Sequence, residues 1–162
     1  MSFPNYTTSH LEDWVTKWYL KNKMFEPKDL IIGRIALRHG IYVKQKEMPS
    51  RYDIIGRYKG ITLDARLPNK LQREQFFHEL CHFLRHYGNQ SMMPAAFREL
   101  QERDARHFTR YAALPHHMIT NYDYTDPSIV QVLAEDFSVT EELCFERLLH
   151  IQRNQTTEKM YQ

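Results

Sequence analysis

The chain has 162 residues, 42% of them apolar, enough for one substantial core and too few for two domains of ordinary size. Its 22 Lys and Arg nearly cancel its 20 Asp and Glu, which excludes the strong positive field of a nucleic-acid binder, so no direct nucleic-acid contact is expected. No run approaches the roughly 18 apolar residues of a membrane span, and Met1-Ser2-Phe3-Pro4-Asn5-Tyr6 lacks the regions of a signal peptide; a cytoplasmic protein without a membrane partner is expected. Cys81 and Cys144 then read as thiols. Composition leaves the oligomeric state open.

Ser9 and Glu12 have the spacing of a capping box, and Leu11, Trp14, Val15 and Trp18 recur at helical intervals, so a first helix is expected to about Lys23 with its apolar stripe in the core. Pro27 can open a second helix, continued by Leu30, Ile31, Arg34 and Leu37, and Gly40 suits the left-handed residue that ends it. Three short segments rich in β-branched and aromatic residues follow: 41–46, 53–58 and 61–65. They predict a small three-stranded antiparallel sheet whose last two strands form a hairpin over Lys59-Gly60. Ile61 to Ala65 reads either as an ordinary paired strand or as an exposed edge that could pair with an extended peptide.

Helical periodicity returns from Asn69 to His86, with Gly88-Asn89 as its stop, then over Ala95–Ala113, ended by Pro115, and over a final pair at 128–137 and 140–153. The expected fold is therefore α+β: one domain over residues 1–153, made of N-terminal helices (9–39), the sheet (41–65), the pair 69–113 and a C-terminal helical element (128–153). Residues 154–162 read as a frayed polar tail.

The segment 69–86 carries His78-Glu79-Leu80-Cys81-His82. Two imidazoles one helical turn apart project from one face and can clasp one ion. Zinc fits best, because imidazole suits a borderline metal and a catalytic zinc keeps three protein ligands and an open position for water. Glu79, about 100° round the helix from His78, can reach that water without occupying the metal and act as general base. The third ligand is open on spacing alone. A metzincin-type histidine is absent, since Gly88 stands at that position, and Glu99, Glu102 and Asp104 are all available from the next helix. The apolar stripe Phe97, Leu100, Phe108 and Tyr111 passes through position 104, which favours Asp104, whereas small Ala105 one turn from Glu102 permits close helix approach.

Several stretches together carry a resemblance: Tyr58-Lys59-Gly60-Ile61-Thr62-Leu63-Asp64; Arg73 to His82; Glu102-Arg103-Asp104-Ala105 with Phe108 and Leu114-Pro115; Leu133 to Thr140; and Arg147-Leu148, with Gly40-Ile41 before the sheet. Over roughly residues 30 to 150 the chain resembles the ImmA/IrrE family of metallopeptidases. It departs from that pattern at Cys81, where glycine is frequent, at Arg106, where asparagine is frequent, and in lacking a methionine between Leu114 and Pro115. The resemblance implies a zinc peptidase with His78, His82 and Glu102 as ligands, the glutamate standing three residues before an alanine. It also implies a protein substrate, a helix-turn-helix repressor encoded in a mobile element or stress regulon.

Other residues take plainer readings. His86, one turn beyond His82, reads as a surface residue, Cys81 as a buried thiol, and Trp14 and Trp18 as core. His107, Tyr111, His116 and His117 are candidates to stabilise an oxyanion, with no preference among them. A rival reading takes 128–153 as the helix-turn-helix of a metal-sensing transcriptional regulator. However, Asp126, Glu135, Asp136, Glu141, Glu142 and Glu146 stand there with no Lys or Arg between Asp126 and Glu146, which repels phosphates and suits a protein contact. A non-cleaving anti-repressor is a third reading, and Glu79 argues against it, since structural zinc needs no base.

Overall fold

The structure, a computed structural model, describes residues 3–86 and 94–160, with side chains as far as residue 155. The helix stop expected at Gly88-Asn89 lies outside the described residues. Two compact units divide the chain, Leu30–Thr109 and the combination of Met1–Asp29 with Arg110–Gln162. The fold is α+β.

Helix α1 (His10–Lys21) belongs to the second of these units, and the unit Leu30–Thr109 opens with the short helix α2 (Ile32–Arg38), which ends at Gly40 in the left-handed region at φ +66°. The expected helix from Pro27 is interrupted: Pro27–Asp29 forms a single 3-10 turn, in which the Asp29 carboxylate accepts from the Phe25 and Glu26 N–H groups. Three strands follow, β1 (Tyr42–Lys46), β2 (Arg51–Ile55) and β3 (Tyr58–Asp64), in the order β1-β3-β2. β2 and β3 are antiparallel, but β1 and β3 are parallel, so the sheet is mixed and not antiparallel throughout. The physical reason is the hairpin, which lays β3 between its two predecessors, so that β2 with its two loops serves as the crossover that a parallel pair needs. Ser50 secures that crossover, its hydroxyl accepting the Asp64 N–H at 2.8 Å.

The hairpin turn is Gly56-Arg57 and not Lys59-Gly60. Ile55 pairs with Tyr58, and Gly56 at φ +58° occupies the first loop position, where a II′ turn asks for glycine. β3 is consequently central, with Ile61, Thr62, Leu63 and Asp64 all buried. The edge-strand reading of Ile61 to Ala65 is thereby overturned, and among the described residues the strands with a free edge are its two neighbours, β1 and β2.

Helix α3 (Asn69–Arg85) packs on β2 and β3 and buries Gln72, Phe76, Phe77, Leu80, Cys81 and His82, a stripe of 3.6-residue period. The buried Gln72 amide is satisfied, donating to the Leu67 carbonyl at 2.8 Å and accepting from Gln45 at 2.7 Å. Helix α4 (Ala95–Ala113) starts directly after Pro94 and stops before Pro115, as expected. The boundary between the two units falls inside it.

The other unit holds α1 (His10–Lys21), α5 (His116–Ile119), α6 (Ile129–Phe137) and α7 (Glu141–Met160). The core stripe of α1 is Val15 and Tyr19, one position round from the half-buried Trp14 and Trp18, which stack on each other. Ser138, at φ +54°, ends α6, and the Thr140 hydroxyl accepts the Leu143 N–H to open α7. Helix α7 continues to Met160, there being neither Gly nor Pro to stop it after residue 153.

Glu12 joins several of these helices. Its carboxylate completes the capping box with Ser9, accepts the Tyr6 hydroxyl, and pairs with Arg147 at 3.0 Å, both side chains 1% exposed. Arg147 also donates to the Leu114 carbonyl at 3.1 Å and lies over the Tyr111 ring. Burial alone would raise the Glu12 carboxyl, yet Arg147 and Tyr6 bring it below its ordinary range. Its ionisation therefore contributes stability above the normal carboxyl range, and that contribution is lost as pH falls through the lowered value. Glu12→Gln should cost about 3–5 kcal/mol at neutral pH by leaving Arg147 buried without a counter-charge, and the deficit should shrink in acid. Urea denaturation at two pH values checks this; a neutral-pH cost under about 1 kcal/mol would contradict it.

Candidate metal centre

The i, i+4 spacing of α3 puts His78, His82 and His86 in one row, and α4 brings a carboxylate to the first two. His78 Nε2 lies 2.7 Å from one Glu102 oxygen, and His82 Nε2 lies 3.3 Å from the other. One ligand atom from each of the three residues falls within 4.8 Å of the others, a set that could hold a metal ion. Two imidazoles and a carboxylate make a three-donor set of the kind that can hold a divalent metal and leave one position open. Ligating imidazole must be neutral, and burial pushes His82 down to about 4 against the pull of Glu102. Its ring is 1% exposed and stacks on Tyr52 of β2 at 4.7 Å with an 18° tilt, so its plane is fixed from the sheet side.

Glu79 follows His78 and has a different environment. Burial first, then the negative charges of Glu102 and of Asp53 on β2, push its carboxyl up to about 8. A carboxylate whose proton affinity is tuned toward neutrality suits proton transfer in both directions.

The carboxylates left open by spacing separate clearly. Glu102 reaches both imidazoles. Asp104 turns the other way, to Arg85 Nε at 3.1 Å and His86 Nε2 at 2.8 Å. Glu99 lines a cavity of about 730 Å³ along α4 with Ala95, Arg98, Glu102, Arg103 and Arg106, so Glu102 borders both the imidazoles and this open space. The stripe that favoured Asp104 is apolar core only in its second half: Phe97 and Leu100 are 61% and 58% exposed, while Ala105 and Phe108 are fully buried.

His86 is not a surface residue. Its side chain is 11% exposed and its Nδ1 lies 3.2 Å from His82 Nδ1. Cys81, His86 and Asp104 form a second group whose ligand atoms lie within 4.8 Å of one another, with Cys81 Sγ 3.8 Å from Asp104. Burial first, then Asp104, push the Cys81 thiol up, so it is a buried thiol as expected. Of the proposed oxyanion stabilisers, three are engaged within the other unit: Tyr111 under Arg147, His116 stacked on Tyr6, and His117 against the Met24 carbonyl. Sequence reasoning missed Tyr52 and Asp53, which stand 30 residues before His82 and 26 before Glu79 and bear no periodic relation to them.

Three comparisons bear on this arrangement. The family model for the IrrE N-terminal-like domain, peptidase family M78, matches residues 36–149. The uncharacterized protein YqaB of Bacillus subtilis (strain 168) is 31% identical over 145 residues, which cover 88% of this chain and 84% of YqaB. The phage-like element PBSX protein XkdA of the same organism is 34% identical over 145 residues, covering 86% of this chain and 72% of XkdA. No solved structure matches the chain. The family match runs through the sheet, α3 and α4, the elements that bring His78, His82 and Glu102 together, and the chain belongs to the IrrE N-terminal-like peptidase family.

Proposed function

We propose that the chain is a zinc-dependent endopeptidase of the cytoplasm that cuts a protein at a defined site, and that its substrate is a DNA-binding repressor of a mobile element or stress regulon. The observation that carries the peptidase reading is the convergence of His78 Nε2, His82 Nε2 and the Glu102 carboxylate, with Glu79 beside them at raised proton affinity. His78, His82 and Glu102 would hold the metal. When bound, zinc supplies Lewis acidity, which acidifies water and polarises a carbonyl. Glu79 takes the proton of the attacking water on a carboxylate oxygen and delivers it to the leaving amine as the peptide bond breaks. Tyr52 and the buried flank of α3 keep the His82 side of the site dry.

Substrate alignment is assigned to β2. In a two-residue hairpin the flanking pair Ile55–Tyr58 exchanges hydrogen bonds, so Tyr52 and Ile54 turn their N–H and C=O groups to the free edge. An extended segment pairing there would run beside Tyr52, which touches His82, and Asp53, whose charge acts on Glu79. The repressor reading is supported by the resemblance of the chain and by its relative XkdA, a protein of a phage-like element.

The direct experiment incubates the zinc-loaded protein with the repressor encoded nearest its gene and looks for discrete fragments. Glu79→Gln should abolish cleavage, at least 100-fold, with zinc content near wild type, whereas His78→Ala and His82→Ala should lose zinc and activity together. Normal cleavage by Glu79→Gln would disprove the general base. Ile54→Pro removes an outward N–H without breaking the ladder to β3, and should raise KM for the protein substrate several-fold with zinc binding unchanged. An unaltered KM would remove β2 from substrate binding.

A further inference from the structure

His86 and Asp104 lie outside the proposed donor set, yet they touch it. His82 Nε2 faces Glu102, so a His82 that offers this lone pair to a metal carries its proton on Nδ1. That proton needs an acceptor, because the ring is 1% exposed. The atom in reach is His86 Nδ1, at 3.2 Å. On the far side of the His86 ring, Nε2 lies 2.8 Å from Asp104 Oδ2, which only accepts when ionised. His86 therefore holds its proton on Nε2 and leaves a lone pair on Nδ1. The same Asp104 oxygen accepts from Arg85 Nε at 3.1 Å, a cationic partner that matches the carboxylate form. One assignment of protons satisfies every link from Asp104 through His86 to His82.

The same atoms could be read as a second metal site, since Cys81 completes a three-donor group. Arg85 argues against that, because a fixed cation already occupies the oxygen an ion would share.

We infer that His86 and Asp104 are positioning residues that hold His82 in its Nδ1–H tautomer and aim its Nε2 lone pair at the site, with Arg85 anchoring the far end of the chain. The inference rests on the reading of His78, His82 and Glu102 as metal ligands. Groups in this outer position typically change metal affinity by about 10–100-fold.

The test measures zinc affinity of the purified full chain by competition with a chelator of known strength, for His86→Ala, Asp104→Ala, the double variant and His86→Gln. Each alanine variant should bind zinc roughly 10–100-fold more weakly, and the double variant no more weakly than His86→Ala, because Asp104 acts only through His86. His86→Gln, whose amide oxygen can accept from His82 Nδ1, should recover most of the affinity, which a merely structural role for His86 would not produce. Melting temperatures of the metal-free variants establish that each is folded. Wild-type zinc affinity in His86→Ala and Asp104→Ala, alongside loss of zinc in His82→Ala, would overturn the positioning chain and leave the ligands standing. Additive losses, or two zinc ions per wild-type chain, would also overturn it. Retention of zinc by both His78→Ala and His82→Ala would instead remove the ligand reading, and the inference with it.

Discussion

A single carboxylate facing two imidazoles sets the demands on the unit Leu30–Thr109. Glu102 comes from α4 and His78 and His82 from α3, so contacts of 2.7 and 3.3 Å hold only if the two helices lie close at that turn. Small, buried residues make the approach possible: Ala105 is one turn from Glu102, and Cys81 Sγ lies 3.8 Å from Asp104 of α4, Ala105 and Cys81 both being without solvent exposure. The sheet then braces α3 from the other side, through the buried Ile61 and Leu63 of β3 and through Tyr52 against the His82 ring. A change of register in β3 by one residue would turn Ile61 and Leu63 away from the helix they support.

Burial of ionisable groups is the second consequence. Each carboxylate near the site is either shared with imidazoles, as Glu102 is, paired with a cation, as Asp104 is, or left to bind a proton more tightly, as Glu79 is. Three neighbouring acids thus have three different chemical characters, set by what each faces and not by residue type. The other unit treats its buried charge differently. Glu12 and Arg147 are paired at nearly zero exposure and tied to the helix cap, to Tyr6 and to the Leu114 carbonyl, which makes them part of the framework.

Much of the helical structure was legible because its ends carry local chemistry. Ser9 with Glu12 announces α1, and the prolines at 94 and 115 bound α4. Strand direction was not legible, since a four-residue link from β1 to β2 looks like a hairpin whether or not a third strand enters between them. The turn at Gly56-Arg57 was passed over because Lys59-Gly60 also places one glycine in a two-residue window, and only the pairing of Ile55 with Tyr58 decides between them. At the site, the His78-Glu79-Leu80-Cys81-His82 spacing was readable from helix geometry, and Glu102 came from resemblance where spacing left three carboxylates. His86 was misread because its surroundings depend on what α4 places opposite it, Asp104, which no spacing within α3 encodes.

Which side chains take the metal can be read directly, because the two donor groups on α3 and α4 differ in one element, sulfur. Zinc K-edge X-ray absorption on the protein loaded with one equivalent of zinc distinguishes them directly. Coordination by His78, His82 and Glu102 gives nitrogen and oxygen neighbours only, at about 2.0–2.2 Å, with the outer scattering of two imidazoles. A sulfur shell at about 2.3 Å would place the metal on Cys81 and contradict the assignment to His78, His82 and Glu102.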